Sequence, residues 1–392
     1  MSEEGRLEID PVPGARQASA VARHEDRERT GVVVVGAGPC GLAAGIALKK
    51  AGIPAVLLER GCLVSGIYGY PTFMTFFSTA ERLSIGGVPF SVATEKPTRR
   101  DALAYYRTVT EHFALDVRQY EGVERIERID DTAAGDARGA PPDSTIAAPS
   151  PADGTEPSPA IPESPARLPV RFRVHSRTRA GRARLTEAHA VVVATGYFGH
   201  PNRLGVPGET LPHVTHLFEE GHVAYDLPVV VVGGGNSAVD AALDLYRAGA
   251  RVTLVHFAPQ LDRNVKPWVM PDIVNRIKEG SIAAKFDSRV VEIDPEFVVL
   301  ATPRGEERVR AEQVYLMLGY QPNNELLRQL AVPIDATTGI PTHDPATMET
   351  AVPGVFMAGV LASGYDANKT FIENGRHHGE LIAAALAERL RH

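Results

Sequence analysis

Cysteine is nearly absent from this 392-residue chain, which has two, Cys40 and Cys62. Two cysteines cannot make a disulfide framework, and a separation of 22 positions is neither a CxxC redox pair nor part of a zinc site. Long apolar runs are also missing. The most hydrophobic stretches are short Val-rich segments that run into glycines, far below the roughly 20 residues that cross a bilayer. The first 30 residues are charged and lack the apolar core of a signal peptide. There is no basic excess either: 41 Lys and Arg stand against 48 Asp and Glu, a formal net charge of −7. Such a balance provides no field to gather nucleic acid or anionic lipid. These absences exclude a secreted disulfide scaffold, a membrane-spanning protein and a nucleic-acid binder. They point to a reduced, cytoplasmic setting.

Glycine, at 36 residues, is plentiful, and two clusters of it carry information. GVVVVGAGPCG runs from Gly31 to Gly41 and LPVVVVGGGNSA from Leu227 to Ala238. Each follows a Val-rich strand and opens a helix that leads to a second strand, the βαβ pattern of a dinucleotide-binding unit. The fold class expected is α/β with two Rossmann-like domains, the second inserted into the first. Residues 1–29 read as a flexible tail, 30–204 with 319–392 as one domain, and 205–318 as the other. Within the first, residues 131–169 differ in kind. Nine prolines fall between Pro141 and Pro169, with small and polar residues between them and no aromatic. A composition of this sort cannot repay the entropy of ordering, so a disordered loop between two strands is expected.

Gly36, Gly38 and Gly41 form GxGxxG. The first glycine permits a tight turn, the second a close approach of backbone to pyrophosphate, and the third tight packing of helix on strand. Pro39 opens the helix, whose free N–H groups favour an anion. Glu59 ends the next strand, 23 residues after Gly36, where a carboxylate can hold adenosine ribose. In the second loop Gly233, Gly235 and Ala238 take the same places, with Asn236 and Ser237 between. The residue equivalent to Glu59 is His256. No carboxylate stands there to repel a 2′-phosphate, and His256, Arg263 and Lys266 can supply donors or positive charge, which favours NADPH over NADH. Cys40 lies just inside the first helix, where the helix field stabilises a thiolate. The competing reading is a small residue packed between helix and sheet. His213, His216 and His222 lack the spacing and acidic partner of a metal set and read as ordinary linker residues.

VVVATGYFGHPNRLGVPG, from Val191 to Gly208, resembles the strand and crossover of two-dinucleotide flavoproteins, and GVFMAG, ending at Gly359, resembles their last flavin-contacting strand. The resemblance implies FAD at the first loop, with Thr195, Gly196 and Gly359 beside it, and NADPH at the second. Five further stretches narrow the likeness: SGIYGYPTFMTFFSTAERLSIGGVPF, KPTRRDALAYYR, GGGNSAVDAALDLYRAGARVTLVH, KPW, and GVLASGYDANKTFIENGRHHG. Together with the first loop they resemble the YpdA-like bacillithiol disulfide reductases. That likeness implies an NADPH-dependent FAD enzyme acting on a low-molecular-weight disulfide, with Cys40 as its redox cysteine, and a homo-oligomer; Cys62 matches no redox position. Asn368, Thr370 and Glu373 become candidates for flavin contact or helix entry. Tyr68, Tyr70 and Thr75 are candidates for the cavity wall, and Trp268 for a nicotinamide cover or for core. Val360 stands where many relatives have Asp, which leaves a flavin contact to other groups. Two other functions remain open: a ferredoxin or flavodoxin reductase with Cys40 structural, and a redox-sensing flavoprotein that signals to a partner.

Overall fold

The computed structural model describes residues 26–129, 171–366 and 369–391. The expected tail over 1–25, the Pro-rich segment and Asn368 lie outside them. Strand β1 runs Asp26–Val35 and so begins inside the segment expected to be tail. Its early start has a partner: Asp26–Thr30 pair in parallel with Arg184–Ala188 of β6.

The first sheet is built from β1, β2 (Ala55–Glu59), β3 (Asp116–Gln119), β4 (Glu121–Arg128), β5 (Phe172–Thr178) and β6 (Ala183–Val193), in the order β3-β2-β1-β6-β5-β4. Val32–Val35 and Val191–Val193 are buried at its centre, each side chain stabilising the fold by about 1.5–3 kcal/mol. The helix Pro39–Lys50 starts with proline at its first position and stops at Ala51, followed by Gly52 with φ of +71°. That is the usual asymmetry of proline inside the start and glycine past the end. Arg128 pairs with Phe172 across β4 and β5. The helix Arg99–His112 is capped by Thr98, reinforced by Asp101 in a capping box.

The second unit follows: β7 (Val214–Thr215), β8 (Pro228–Val232), the helix Asn236–Arg247, β9 (Arg251–Val255), the helix Met270–Lys278 and β10 (Ala283–Lys285). A three-stranded antiparallel sheet of β11 (Arg289–Ile293), β12 (Phe297–Thr302) and β13 (Gly305–Arg310) precedes β14 (Gln313–Leu316). The parallel sheet has the order β10-β9-β8-β14-β7. The chain then returns to the first sheet, where β15 (Val355–Met357) pairs with the end of β6. The seven-stranded unit is thus interrupted by the five-stranded one, as expected for an inserted nucleotide domain. A short turn at Ile372–Gly375 is followed by a separate helix, His378–Arg391. Gly379 lets that helix rest on the first: a Cβ there would lie 2.6 Å from Ala44 Cα.

Candidate active site

The glycines of the first loop divide the three roles assigned to them. Gly36 has φ of +105°, and a Cβ on it would lie 2.5 Å from the Ala194 carbonyl oxygen. Gly41 would place a Cβ 2.0 Å from the Gly36 oxygen. Protein packing therefore demands both. A Cβ on Gly38 meets no protein atom within 4 Å, and Gly38 faces a cavity of about 940 Å³. Glycine at this position serves an occupant that comes against the backbone. The helix behind it has no side-chain cap and no acidic residue in its first turn, so its N–H groups are free for phosphate. Glu59 is buried. Its Oε2 accepts from Ala37 N at 2.9 Å, and its Oε1 from Gly61 N at 2.7 Å and Ser65 Oγ at 3.0 Å. It binds the loop into shape and also borders the cavity. These groups fit the adenosine and pyrophosphate of a dinucleotide.

Pro39, Cys40, Thr195, Gly196, Gly359, Val360 and Thr370 line the same cavity, as do Tyr70 and Thr75. The Cys40 sulfur sits in a niche made by two glycines. A Cβ on Gly359 would approach it to 3.1 Å and one on Gly375 to 2.9 Å. Gly375 was not anticipated, although it lies inside the quoted stretch FIENGRHHG. The residue as a whole is half-buried because one edge faces the cavity, whereas the thiol is enclosed. Burial pushes that thiol up to about 12, which corrects the expectation of a helix-stabilised thiolate. Desolvation outweighs the field of a helix end. Tyr70 and Tyr106 lie within electrostatic reach of Cys40, and burial holds both hydroxyls protonated far above the usual phenol range. Tyr106 donates to the Leu83 oxygen at 2.9 Å. Behind Gly359, His378 Nδ1 accepts from the Gly359 N–H at 3.1 Å, and burial lowers its pKa to about 4, with His343 and His377 adding to the effect. An uncharged imidazole thus anchors the backbone against which Cys40 rests.

The second loop copies the first with different neighbours. Gly233 has φ of +141°, its Cβ position lies 2.4 Å from the Met317 oxygen, and Ala238 is fully buried in place of the third glycine. His256 does not reach outward as a donor. Its ring lies under Gly234, where a Cβ would come within 2.4 Å of it. Neither ring nitrogen has a hydrogen-bond partner among the described residues, and Asp262 Oδ1 stands 3.5 Å from Nε2. Lys266 is also engaged, since its Nζ meets Asp240 Oδ2 at 2.7 Å and its backbone N–H donates to Asn236 Oδ1 at 2.8 Å. Arg263 is exposed at the rim. Asn236, Ser237, Asp240 and Lys266 nonetheless line the same cavity as Cys40. Both loops therefore open into one space.

The remaining candidates separate clearly. Glu373 pairs with Arg82 at 3.4 Å and is absent from the cavity wall. Tyr68 is exposed, with Arg99 over its ring. Trp268 is neither core nor cavity lining. It lies 5.4 Å from Phe77, with Lys96 Nζ 3.8 Å above its ring, and so joins the two units at the cavity mouth. His216 does have an acidic neighbour, Glu209 at 3.3 Å. Glu209, however, is taken up by the N–H groups of Leu204 and Gly205 in the crossover. Among the described residues no group of His, Cys, Asp and Glu is disposed to hold a metal, and no helix is long and apolar enough to cross a membrane.

Two glycine loops on two parallel sheets, opening into one cavity with a cysteine on its wall, define an oxidoreductase of the two-dinucleotide class. A family model described as pyridine nucleotide-disulphide oxidoreductase matches residues 33–134 and 171–359. The bacilliredoxin reductase Bdr of Bacillus subtilis is 38% identical over 363 residues, covering 92% of this chain and 98% of the relative. The solved bacillithiol disulfide reductase Bdr (YpdA) from Bacillus cereus superposes with a TM-score of 0.80 at 38% identity, over 92% of this chain and 99% of that one. Its counterpart from Staphylococcus aureus gives 0.78 at 32% identity, with the same coverage. The thioredoxin reductase of T. acidophilum, at 19% identity and a TM-score of 0.62, shares the fold. The chain belongs to the pyridine nucleotide-disulphide oxidoreductase family, in its YpdA-like branch. It is an enzyme that uses a flavin and a nicotinamide nucleotide.

Proposed function

We propose that this chain is a cytoplasmic, NADPH-dependent FAD enzyme that reduces a low-molecular-weight disulfide through Cys40, with bacillithiol disulfide as the first substrate to test. The observation that carries this reading is the place of Cys40, which lines the cavity into which both glycine loops open. FAD is assigned to the unit formed by residues 30–204 and 319–392, with Gly36, Gly38, Gly41 and Glu59 at its adenosine half. NADPH is assigned to residues 205–318, where the helix behind Gly235 has no side-chain cap and no acid in its first turn. The relatives' names support the substrate class, since the B. cereus and S. aureus proteins are bacillithiol disulfide reductases.

In the proposed chemistry the Cys40 thiol first loses its proton. Its sulfur then forms a bond to one sulfur of the substrate, the substrate S–S bond breaks, and one thiol leaves with a proton. Cys40 now holds the other half as a mixed disulfide. The flavin, when bound, supplies two electrons that originate on the nicotinamide. Their arrival breaks the mixed disulfide, and two protons complete the second thiol and restore the Cys40 thiol. The protein's own task is to hold the sulfur against Gly359 and Gly375 and to keep uncharged hydroxyl donors beside it. Tyr70, whose hydroxyl has no acceptor among the described residues and which borders the cavity, is the donor proposed for the leaving sulfur.

The test is anaerobic oxidation of NADPH by the flavin-loaded protein with bacillithiol disulfide, counting the thiols released by wild type and Cys40→Ala. Two thiols per NADPH in wild type and none in the variant is the expected result. Equal thiol release by both removes Cys40 from the reaction. Release by neither, with ferredoxin or flavodoxin reduced instead, would move the chain to the electron-transferring reductases.

A further inference from the structure

Of the three candidates for nucleotide preference at the second loop, Arg263 is exposed and no side chain among the described residues holds its guanidinium in place. His256 is 3% exposed beneath Gly234, and Lys266 is neutralised by Asp240. The answer lies one strand further out. β9 and β10 run in parallel, from Thr253 beside Ala283 to Val255 beside Lys285. The segments that follow them emerge together at the carboxyl edge of the sheet. Hydrogen bonds tie them there: His256 N to Lys285 O at 2.9 Å, Ser288 N to His256 O at 3.0 Å, and Asp287 N to Ala258 O at 3.1 Å. In a doubly wound sheet the nucleotide lies outside this edge, with its adenosine ribose at the end of the strand that follows the glycine helix.

Two side chains stand out on that edge. Phe257 is 59% exposed, and the Arg289 guanidinium lies over its ring, 5.0 Å from the centroid. Most cations of this unit are paired: Arg247 with Asp272, Arg251 with Asp226, Lys285 with Glu307, Arg308 with Asp294 and Arg310 with Glu312. Arg289 has no carboxylate partner among the described residues. A guanidinium held over an aromatic face keeps its N–H groups available, and a guanidinium edge matches two oxygens of a phosphate.

We propose that Arg289, held on Phe257, determines nucleotide choice by taking the 2′-phosphate of the adenosine ribose. The inference rests on the NADPH reading above and assigns that selectivity to a residue outside the glycine loop. Asp262 is the counterweight. Its carboxylate, 53% exposed, lies 3.2 Å from the Cβ position of Gly235, and a carboxylate there suits a free 2′-hydroxyl and repels a phosphate.

The test uses the flavin-loaded protein and two probes that need no disulfide substrate, 2′,5′-ADP and 5′-AMP, titrated calorimetrically. Wild type should bind 2′,5′-ADP more tightly. Arg289→Ala should weaken 2′,5′-ADP by about 10- to 100-fold, the range for hydrogen bonds to charged groups, and leave 5′-AMP unchanged. Arg289→Lys should recover part of the loss, and Phe257→Ala should lose part of the affinity. In anaerobic flavin reduction, the half-saturating NADPH concentration should rise in Arg289→Ala, with that for NADH and the limiting rate unchanged. If wild type binds both probes equally, the NADPH reading fails. If wild type prefers 2′,5′-ADP and Arg289→Ala keeps the preference, or loses both probes alike, the assignment to Arg289 fails and the NADPH reading stands.

Discussion

At the first loop the strand after the glycine helix ends in Glu59, whose two oxygens accept three hydrogen bonds from the loop and its surroundings. At the second, the same position holds His256, whose ring nitrogens accept and donate none among the described residues. Both residues are buried, and both support a glycine loop at the same point of the same fold. Glu59 does so by hydrogen bonding and still presents a carboxylate to the cavity. His256 does so by filling space under Gly234 and presents nothing. A motif thus sets where a nucleotide lies, while the side chain behind it decides whether that position also reads the nucleotide. In the first unit that side chain borders the cavity; in the second it is covered.

Cysteine marks the largest difference between the loops, since Cys40 has Ser237 within the equivalent stretch of the other. Cys40→Ala should lower disulfide reduction on the order of a thousand-fold or more, while NADPH still reduces the flavin at the wild-type rate. Stopped-flow absorbance of the two half-reactions separates these. If both halves slow together, Cys40 is part of the flavin cradle instead.

The glycines come next. Gly41→Ala drives a methyl toward the Gly36 oxygen, 2.0 Å from the new Cβ, and should cost more than about 3 kcal/mol in urea unfolding. Gly38→Ala meets no protein atom. It should leave the stability of the flavin-free chain within about 0.5 kcal/mol and weaken flavin binding at least about tenfold by fluorescence titration. Equal stability losses in the two variants would undo the division of roles.

A smaller contrast tests the supports. Glu59→Gln removes part of a buried acceptor set and should cost about 1–3 kcal/mol. His256→Leu removes no hydrogen bond and should change stability by less than about 1.5 kcal/mol. The smallest effect concerns pH. With its pKa pushed up to about 12, Cys40 carries less thiolate at pH 8 than an ordinary cysteine, so iodoacetamide should label it more slowly than half-buried Cys62. Its labelling rate should still be rising at pH 9. Peptide mass spectrometry reads both sites, and a plateau for Cys40 below pH 8 would show a cation that this geometry lacks. His378, lowered to about 4, binds its proton more readily unfolded. It contributes stability at neutral pH that is lost as pH falls from about 6.5 toward 4. His378→Gln should flatten that part of the melting curve against pH.

Much of this was legible in the sequence because it rests on local geometry. Val-rich strands, glycines with fixed spacing and the Ala-Gly ends of both nucleotide helices are short-range patterns, and the parallel sheets followed from them. The site was legible to the extent that it stayed local: Cys40, Glu59 and the loop glycines lie where their motifs put them. His256, Lys266 and the Cys40 thiol each turn on a neighbour distant in the chain, which no motif shows. Gly234 covers the first, Asp240 neutralises the second, and Gly359 and Gly375 enclose the third.

By itself, the sequence determined that two dinucleotide units exist, that one interrupts the other and that a single cysteine stands at the first phosphate loop. Backbone conformation and strand burial depend on residues a few positions apart, so the chain carries them openly. Only the tertiary structure decided that both loops share one cavity, that the cysteine is desolvated, and that Arg289 stands on Phe257 beside the second site. Those are matters of distance and dielectric between segments that the sequence keeps apart, and they are set when the sheets bring their carboxyl edges together.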